Sequence, residues 1–379
     1  MRSPLSKALT RGGTSSFSGA AYLYLSDGTV LKGKGFGAKG VRNGELIFTT
    51  SMNGYPESLT DPSYMGQLLV FTHPLVGNYG VPDKTYKNSI LSNFESEHIM
   101  VEGIIVAELT EGKSWNSIFT LSEWLAREGI PGIQGVDTRM LTKKIRDSGA
   151  MPAVLSNGIR LTNSTVKRLL EIDYSTINFV ERASVKEPVI YKGKLPGNII
   201  LIDFGVKHGI LEELLKIGYN VVRLPYNASP DEVMSYNPVG IVYSNGPGNP
   251  NLLSNEVNNF LSLSEYKVPT LGICLGHQIA AMAFGAKVVK MKFGHHAINK
   301  AVVETATNKG FITTHNHGYA IYPNNMPEGG KIWFISPDDN VVEGIEYMNR
   351  KIITVQFHPE ARPGTNDTNF VFEKFRRML

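Results

Sequence analysis

The stretch that most constrains this chain runs from Val268 to Phe284, where its one cysteine, Cys274, lies between Gly272 and Gly276 at the junction of an apolar run and a helical pattern. The run before Cys274 is short, apolar and opened by Pro269, as a buried strand would be, and Leu275, Ile279 and Met282 follow at helical spacing. A backbone that turns from strand to helix at one residue needs close approach on both sides, which glycines two positions before and two after permit. Cys274 would then stand at a helix N-terminus, where unpaired N–H groups and the helix dipole favour a negatively charged sulfur. A single cysteine is most often a small buried hydrophobe. The flanking glycines and the partners found further along favour a nucleophile instead.

The 379 residues, 42% of them hydrophobic, suffice for two globular domains with separate cores. Lys and Arg exceed Asp and Glu by only four, with no dense basic stripe among aromatics, so nucleic acid is not the expected partner. One cysteine allows no intrachain disulfide, and a reducing cytoplasm fits. No apolar run approaches the roughly 18–20 residues that span a bilayer, so no membrane is expected. Residues 1–21 read as a basic, flexible leader. The first 26 residues carry Arg2, Lys7 and Arg11 and no acid, and organelle targeting is the alternative reading.

Residues 22–155 read as a strand-rich α+β domain. Tyr22–Leu25, Val30–Leu31 and Glu45–Thr50 are strand-like, Ile118–Glu128 is helical in pattern, and a second helix opens at the capping-type Asp137 and stops at Gly149. Gly35-Phe-Gly-Ala-Lys-Gly40 matches a dinucleotide-binding pattern, but no helix follows, and a loop is expected. Thr50 to Tyr64 is dense in turn formers and hydroxyls, as either a surface connection or part of a site. Residues 156–196 lose apolar periodicity except for a short helix, Thr165–Ile172, capped by Ser164, and are read as a linker. From 197 to 379 buried strands alternate with helices, which predicts an α/β domain with a mostly parallel sheet flanked by helices. Sites in such sheets lie at the carboxyl ends of strands. That brings Ser244-Asn-Gly-Pro-Gly-Asn-Pro250 and His358-Pro-Glu360 toward Cys274.

His358 and Glu360 are two apart in a segment read as extended, so Glu360 can hold one ring nitrogen while the other faces the thiol. His73, His98, His208, His277, His315 and His317 are assigned ordinary packing or capping roles. His295 and His296 are adjacent with no carboxylate or cysteine cluster in view, so no catalytic metal is expected. Gly246-Pro-Gly248 is either a plain turn or, with the amide of Leu275, an oxyanion hole.

Gly272-Ile-Cys-Leu-Gly-His-Gln278, His358-Pro-Glu360 and Asn245-Gly-Pro-Gly248 together resemble the triad-type, class I glutamine amidotransferase domain. From about Tyr22 onward the chain resembles more narrowly the small-chain family of carbamoyl phosphate synthetases, through its Thr-Ser-Met-Asn-Gly-Tyr run ending at Tyr55, Leu-Thr-Asp-Pro-Ser-Tyr64, Gly135-Val-Asp-Thr-Arg139, Asp203-Phe-Gly-Val-Lys207, Lys292-Phe-Gly-His-His296 and Asn316-His-Gly-Tyr319. The resemblance implies Cys274, His358 and Glu360 as catalytic residues. Gly246 and Leu275 would be oxyanion donors, and Ser63, Gly248, Gln278, Asn316, Gly318 and Tyr319 contacts to L-glutamine. It also implies a large synthetase chain as heterodimer partner, with ATP, magnesium and bicarbonate on that chain and no cofactor on this one. The sequence departs from the family pattern at Ala297, where glycine is commoner, and at Tyr319, where phenylalanine is. Three alternatives remain: the glutaminase component of another biosynthetic complex, a silent glutamine-sensing subunit, and a hydrolase of gamma-glutamyl peptides.

Overall fold

The computed structural model describes residues 18–379, and its chain divides into two units. One runs to Thr85 and resumes at Ser96 to end at Ile177; the other takes Asn178–Leu379 together with the detached segment Tyr86–Glu95. The expected leader lies outside the described residues up to position 17, and Ala20 and Ala21 belong instead to the first strand, Ala20–Leu25.

The first unit is a closed barrel of Ala20–Leu25, Met151–Asn157, Gly40–Thr49, Gln67–Phe71, Gly103–Ile105, Pro131–Gln134 and Val30–Gly37, in that order around the wall. Alternation builds it: Ala21, Leu23 and Leu25 are buried while their neighbours are not. The expected glycine-rich loop at 35–40 is instead the end of one strand, a tight turn at Ala38 and Lys39, and the start of the next. A Cβ on Gly35 would lie 1.8 Å from Oδ1 of Asn157, so this glycine serves close packing in the wall.

Thr120 and Glu123 form a capping box that starts a helix at Leu121–Glu128, and Ile118 falls in the short strand before it. Asp137 caps Thr138–Ser148, which Gly149 ends. Thr50 to Tyr64 is no surface connection: it holds the helix Tyr55–Thr60 and the 3₁₀ turn Pro62–Tyr64, with Tyr55, Leu59, Ser63 and Tyr64 buried. Its turn formers work as starters, Pro56 at the helix N-terminus and Asp61 accepting the amide of Ser63 at 2.9 Å.

Residues 156–196, read as a linker with one short helix, hold further elements. The helix there is Asn163–Leu170, capped by Thr162 rather than Ser164, and Val180–Ala183 and the edge strand Val189–Tyr191 follow. The periodicity is faint because each piece buries only one or two side chains, such as Leu169, Phe179 and Val180.

The second unit is built on a ten-stranded sheet. Its parallel centre is Asn220–Pro225, Asn198–Asp203, Pro238–Tyr243, Thr270–Ile273 and Ile352–Val355. Val342–Tyr347, Lys331–Ile335, Val289–Glu304 and Lys309–Ala320 extend it antiparallel. Strand residues alternate between two cores. Ile200, Ile202 and Ile241 pack with Phe260 and Ile279 of the helices Ser254–Ser264 and Leu275–Ala283. Ile199, Leu201 and Val242 pack with Leu214 and Phe375 of His208–Ile217 and Phe370–Arg376. Both faces are covered, as a parallel sheet requires. No helix among the described residues is long and apolar enough to cross a membrane.

Candidate active site

The strand Thr270–Ile273 ends at Cys274, and the helix Leu275–Ala283 begins one residue later. Cys274 has φ 54° and ψ −101°, a conformation that costs a non-glycine residue of order 1–3 kcal/mol and persists only where its surroundings impose it. Its amide donates to Val355 O at 2.8 Å, and Gly276 donates to Ser244 O at 3.0 Å, tying the turn to both neighbouring strand ends. A Cβ on Gly276 would meet Tyr243 O at 2.2 Å, and one on Gly272 would meet Gly276 O at 2.8 Å. The bend therefore depends on both glycines.

His358 follows the Ile352–Val355 strand and forms an isolated bridge with Thr314, whose carbonyl accepts the His358 amide at 2.8 Å. The extended geometry expected for 358–360 is replaced by a turn, closed by Ala361 N donating to His358 O at 3.2 Å. The turn still brings the ring and carboxylate together, with His358 Nδ1 2.8 Å from Glu360 Oε1. Nε2 of His358 is buried without a hydrogen-bond partner, and the Cys274 side chain is among the groups that act on the ring.

Lys207, which the sequence reading assigned no role, donates to the same Glu360 oxygen at 2.7 Å, with both side chains inaccessible. Local turn chemistry delivers it. Asp203 Oδ1 accepts the amides of Gly205 and Val206 at 2.9 and 2.8 Å, and Asn245 Oδ1 accepts that of Lys207 at 3.1 Å. Burial is the largest single influence on His358 and pulls its pKa down, but the charge of Glu360, together with hydrogen bonding to Cys274 and Glu360, more than offsets it and holds the ring up at about 10. Burial alone would raise Glu360, but Lys207 and His358 hold it well below the usual carboxylate range.

Around the sulfur, Cys274 Sγ donates to Asn316 O at 3.8 Å and accepts from Gln356 Nε2 at 3.6 Å. Gln278 Nε2 donates to both Gln356 Oε1 and Tyr319 O at 3.0 Å. Gln356 was missed from sequence, although it stands two residues before His358 at strand period. Leu275 N–H belongs to the helix's first turn, whose amides have no intrahelical acceptor. Gly246 lies so close to Phe204 that a Cβ would stand 2.4 Å from its carbonyl, and Gly248 has φ 93°. Gly318 faces open space. Tyr319 is buried in the core that holds Ile279 and Tyr243. Ser63 belongs to the first unit, buried behind Asp61.

Glu95, from the detached segment, accepts the amide of Gly209 at 3.0 Å and pairs with Arg362. It thus supports the residues two positions beyond Lys207 and Glu360, a role with no sequence signal. The histidine pair separates: His296 Nδ1 meets Asn316 Oδ1 at 2.8 Å, while His295 turns to Asp339 and Glu343. The expectation that no carboxylate accompanies the pair fails at Glu343, which His315 and His317 also surround.

Residues 200–378 match the family model for glutamine amidotransferase class-I, and residues 23–155 match that for the carbamoyl-phosphate synthase small chain, CPSase domain. The carbamoyl phosphate synthase small chain of Metallosphaera sedula is 55% identical over 94% of this chain and 95% of its own. The chain belongs to the carbamoyl phosphate synthase small-chain family. The small chain of Sulfolobus acidocaldarius is 56% identical over 94% of this chain and 96% of that protein, and the small chain of Pyrococcus furiosus 47% over 94% and 97%. As a member of the small-chain family the protein carries an α/β class I amidotransferase domain after a strand-rich N-terminal domain.

Proposed function

We propose that this chain is the glutaminase subunit of a carbamoyl phosphate synthase, hydrolysing L-glutamine to glutamate and ammonia for a large ATP-dependent chain in arginine and pyrimidine synthesis. Cys274 Sγ attacks the side-chain amide carbon as a thiolate whose proton rests on His358. His358 returns that proton to the nitrogen as the C–N bond breaks, so ammonia leaves and a thioester remains. Water, deprotonated by His358, then attacks the thioester, and the sulfur departs to release glutamate. Gly246 and Leu275 stabilise the oxyanion, and Ser63, Gly248, Gln278, Asn316, Gly318 and Tyr319 hold the substrate. ATP, magnesium and bicarbonate act on the large chain.

The observation that carries this reading is the 2.8 Å contact of His358 Nδ1 with Glu360, which orients the other ring nitrogen toward a cysteine held at φ 54°. Reconstitution with the large chain tests it, measuring carbamoyl phosphate formed from glutamine and from ammonia. Cys274→Ser is expected to abolish only the glutamine-dependent rate. Loss of both rates would assign Cys274 a structural role and overturn the mechanism.

A further inference from the structure

Three histidines and a glutamate meet in the antiparallel part of the second unit's sheet, around the strand whose Thr314 bridges His358. In the hairpin of Val289–Glu304 and Lys309–Ala320, His295 lies opposite His317 and Ala297 opposite His315. His315 and His317, two apart on one strand, leave on the same face. Glu343 comes from the strand Val342–Tyr347. All four are buried, and one donor atom from each lies within 4.8 Å of the others.

Their outer hydrogen bonds decide which nitrogens carry protons. His317 Nδ1 lies 2.9 Å from Tyr319 O, which can only accept, so that nitrogen is protonated and Nε2 is the bare one. Thr313 gives its hydroxyl proton to Lys300 O at 2.9 Å, so it can only accept from His315 Nε2 at 2.6 Å, and His315 Nδ1 is bare. His295 Nε2 donates to Asp339 at 2.7 Å, leaving Nδ1 toward Glu343. With all three rings neutral, three lone pairs and a carboxylate face one another. The bare nitrogens of His315 and His317 are 3.2 Å apart, and neither oxygen of Glu343 receives a hydrogen bond. Such an arrangement is repulsive without a positive charge, which either a second proton on His295, favoured against its burial by Asp339 and Glu343, or a metal ion at the centre would supply.

The geometry points to a divalent metal site, with His295 Nδ1, His315 Nδ1, His317 Nε2 and a Glu343 oxygen as tetrahedral ligands of a zinc-class ion. Ligands at about 2.0–2.1 Å from zinc stand about 3.4 Å from one another in a tetrahedron. The separations here are 3.2 Å between His315 Nδ1 and His317 Nε2, 3.4 Å between His295 Nδ1 and Glu343 Oε1, and 3.5 Å between His315 Nδ1 and Glu343 Oε2, with one donor atom from each residue within 4.8 Å of the others. Each histidine also has the second partner that fixes a ligand's tautomer: Asp339, Thr313 or the Tyr319 carbonyl. Four protein ligands leave no open position, so the role is structural. The ion would pin His315 and His317, and hence Asn316 between them, whose carbonyl faces Cys274 Sγ.

The test is metal content of untagged protein expressed with zinc and dialysed against metal-free buffer, with Co(II) loading of the apo form as a spectroscopic check. One zinc per chain is expected, along with the intense visible bands of tetrahedral Co(II). His315→Gln and Glu343→Gln should each lose the metal, while Asp339→Asn should weaken binding by about 10–100-fold. Wild-type protein that holds no stoichiometric zinc or cobalt would show the cluster to be held by a proton and overturn the proposal. Metal retained in both ligand variants would place it elsewhere and also overturn it.

Discussion

Lys207 and His358 share a single oxygen of Glu360, at 2.7 and 2.8 Å, and all three residues are buried. The carboxylate is thus anchored on one side by a fixed cation and aims the imidazole on the other. Removing the cation leaves Glu360 buried beside only the ring.

Lys207→Met is therefore expected to destabilise the second unit by about 3 kcal/mol, as loss of one partner from a buried pair does. The midpoint of denaturant unfolding reads this. A shift corresponding to less than about 0.5 kcal/mol would mean that Lys207 is incidental to the triad.

The pH dependence of stability follows from the raised ring. The folded value of about 10 for His358 lies above the ordinary 6.5, so the stabilisation from holding its proton is complete below pH 6.5 and is lost as pH climbs toward 10. Glu360→Gln removes the charge that lifts the ring, and the fall in Tm across that window should flatten. Parallel Tm profiles for wild type and variant would refute the assignment.

Gly276 and Gly318 make a controlled pair. An alanine methyl at 276 would stand 2.2 Å from a strand carbonyl, whereas one at 318 meets nothing within 4 Å. Gly276→Ala should cost about 1–3 kcal/mol and slow alkylation of Cys274 by iodoacetamide. Gly318→Ala should leave the unfolding midpoint unchanged and raise the KM for glutamine. Equal stability of the two variants would show that the elbow does not depend on close approach at 276.

Gln356 bridges the sulfur and Gln278. A hydrogen bond to a charged group contributes about 1.5–3 kcal/mol, so Gln356→Leu should lower kcat/KM for glutamine by roughly 10–100-fold. Ammonia-dependent synthesis by the reconstituted complex should stay unchanged. A matching fall in both rates would indicate a folding defect instead.

What could be read in advance depended on locality. The strand-to-helix switch at Cys274, the alternation of strands and helices after Gly197 and the capping aspartate at Asp137 are short-range patterns, and each has its counterpart in the structure. The antiparallel extension, the closed barrel and the coverage of each sheet face depend on pairings between distant segments, which no periodicity encodes. For the same reason Lys207, Glu95 and Glu343 escaped notice: their partners are far away in sequence. Glu360 reaches His358 by a turn, so a sound expectation rested on the wrong local geometry. His315 and His317 did carry a signal, two histidines at strand spacing, but adjacency drew attention to His295 and His296.

The detached segment Tyr86–Glu95 also imposes an order of events during synthesis. Glu95 leaves the ribosome long before Arg362, which lies 267 positions further on. At about 5–20 residues per second that interval is on the order of tens of seconds. Throughout it a carboxylate destined for a buried position must stay hydrated, and the short strands Tyr86–Lys87 and Ile90–Leu91 before it, which pair only with each other, wait for the rest of their unit. A stretch translated 267 residues later therefore closes a pocket begun by Glu95, so a nascent chain stalled before Arg362 would keep that early segment open to proteases.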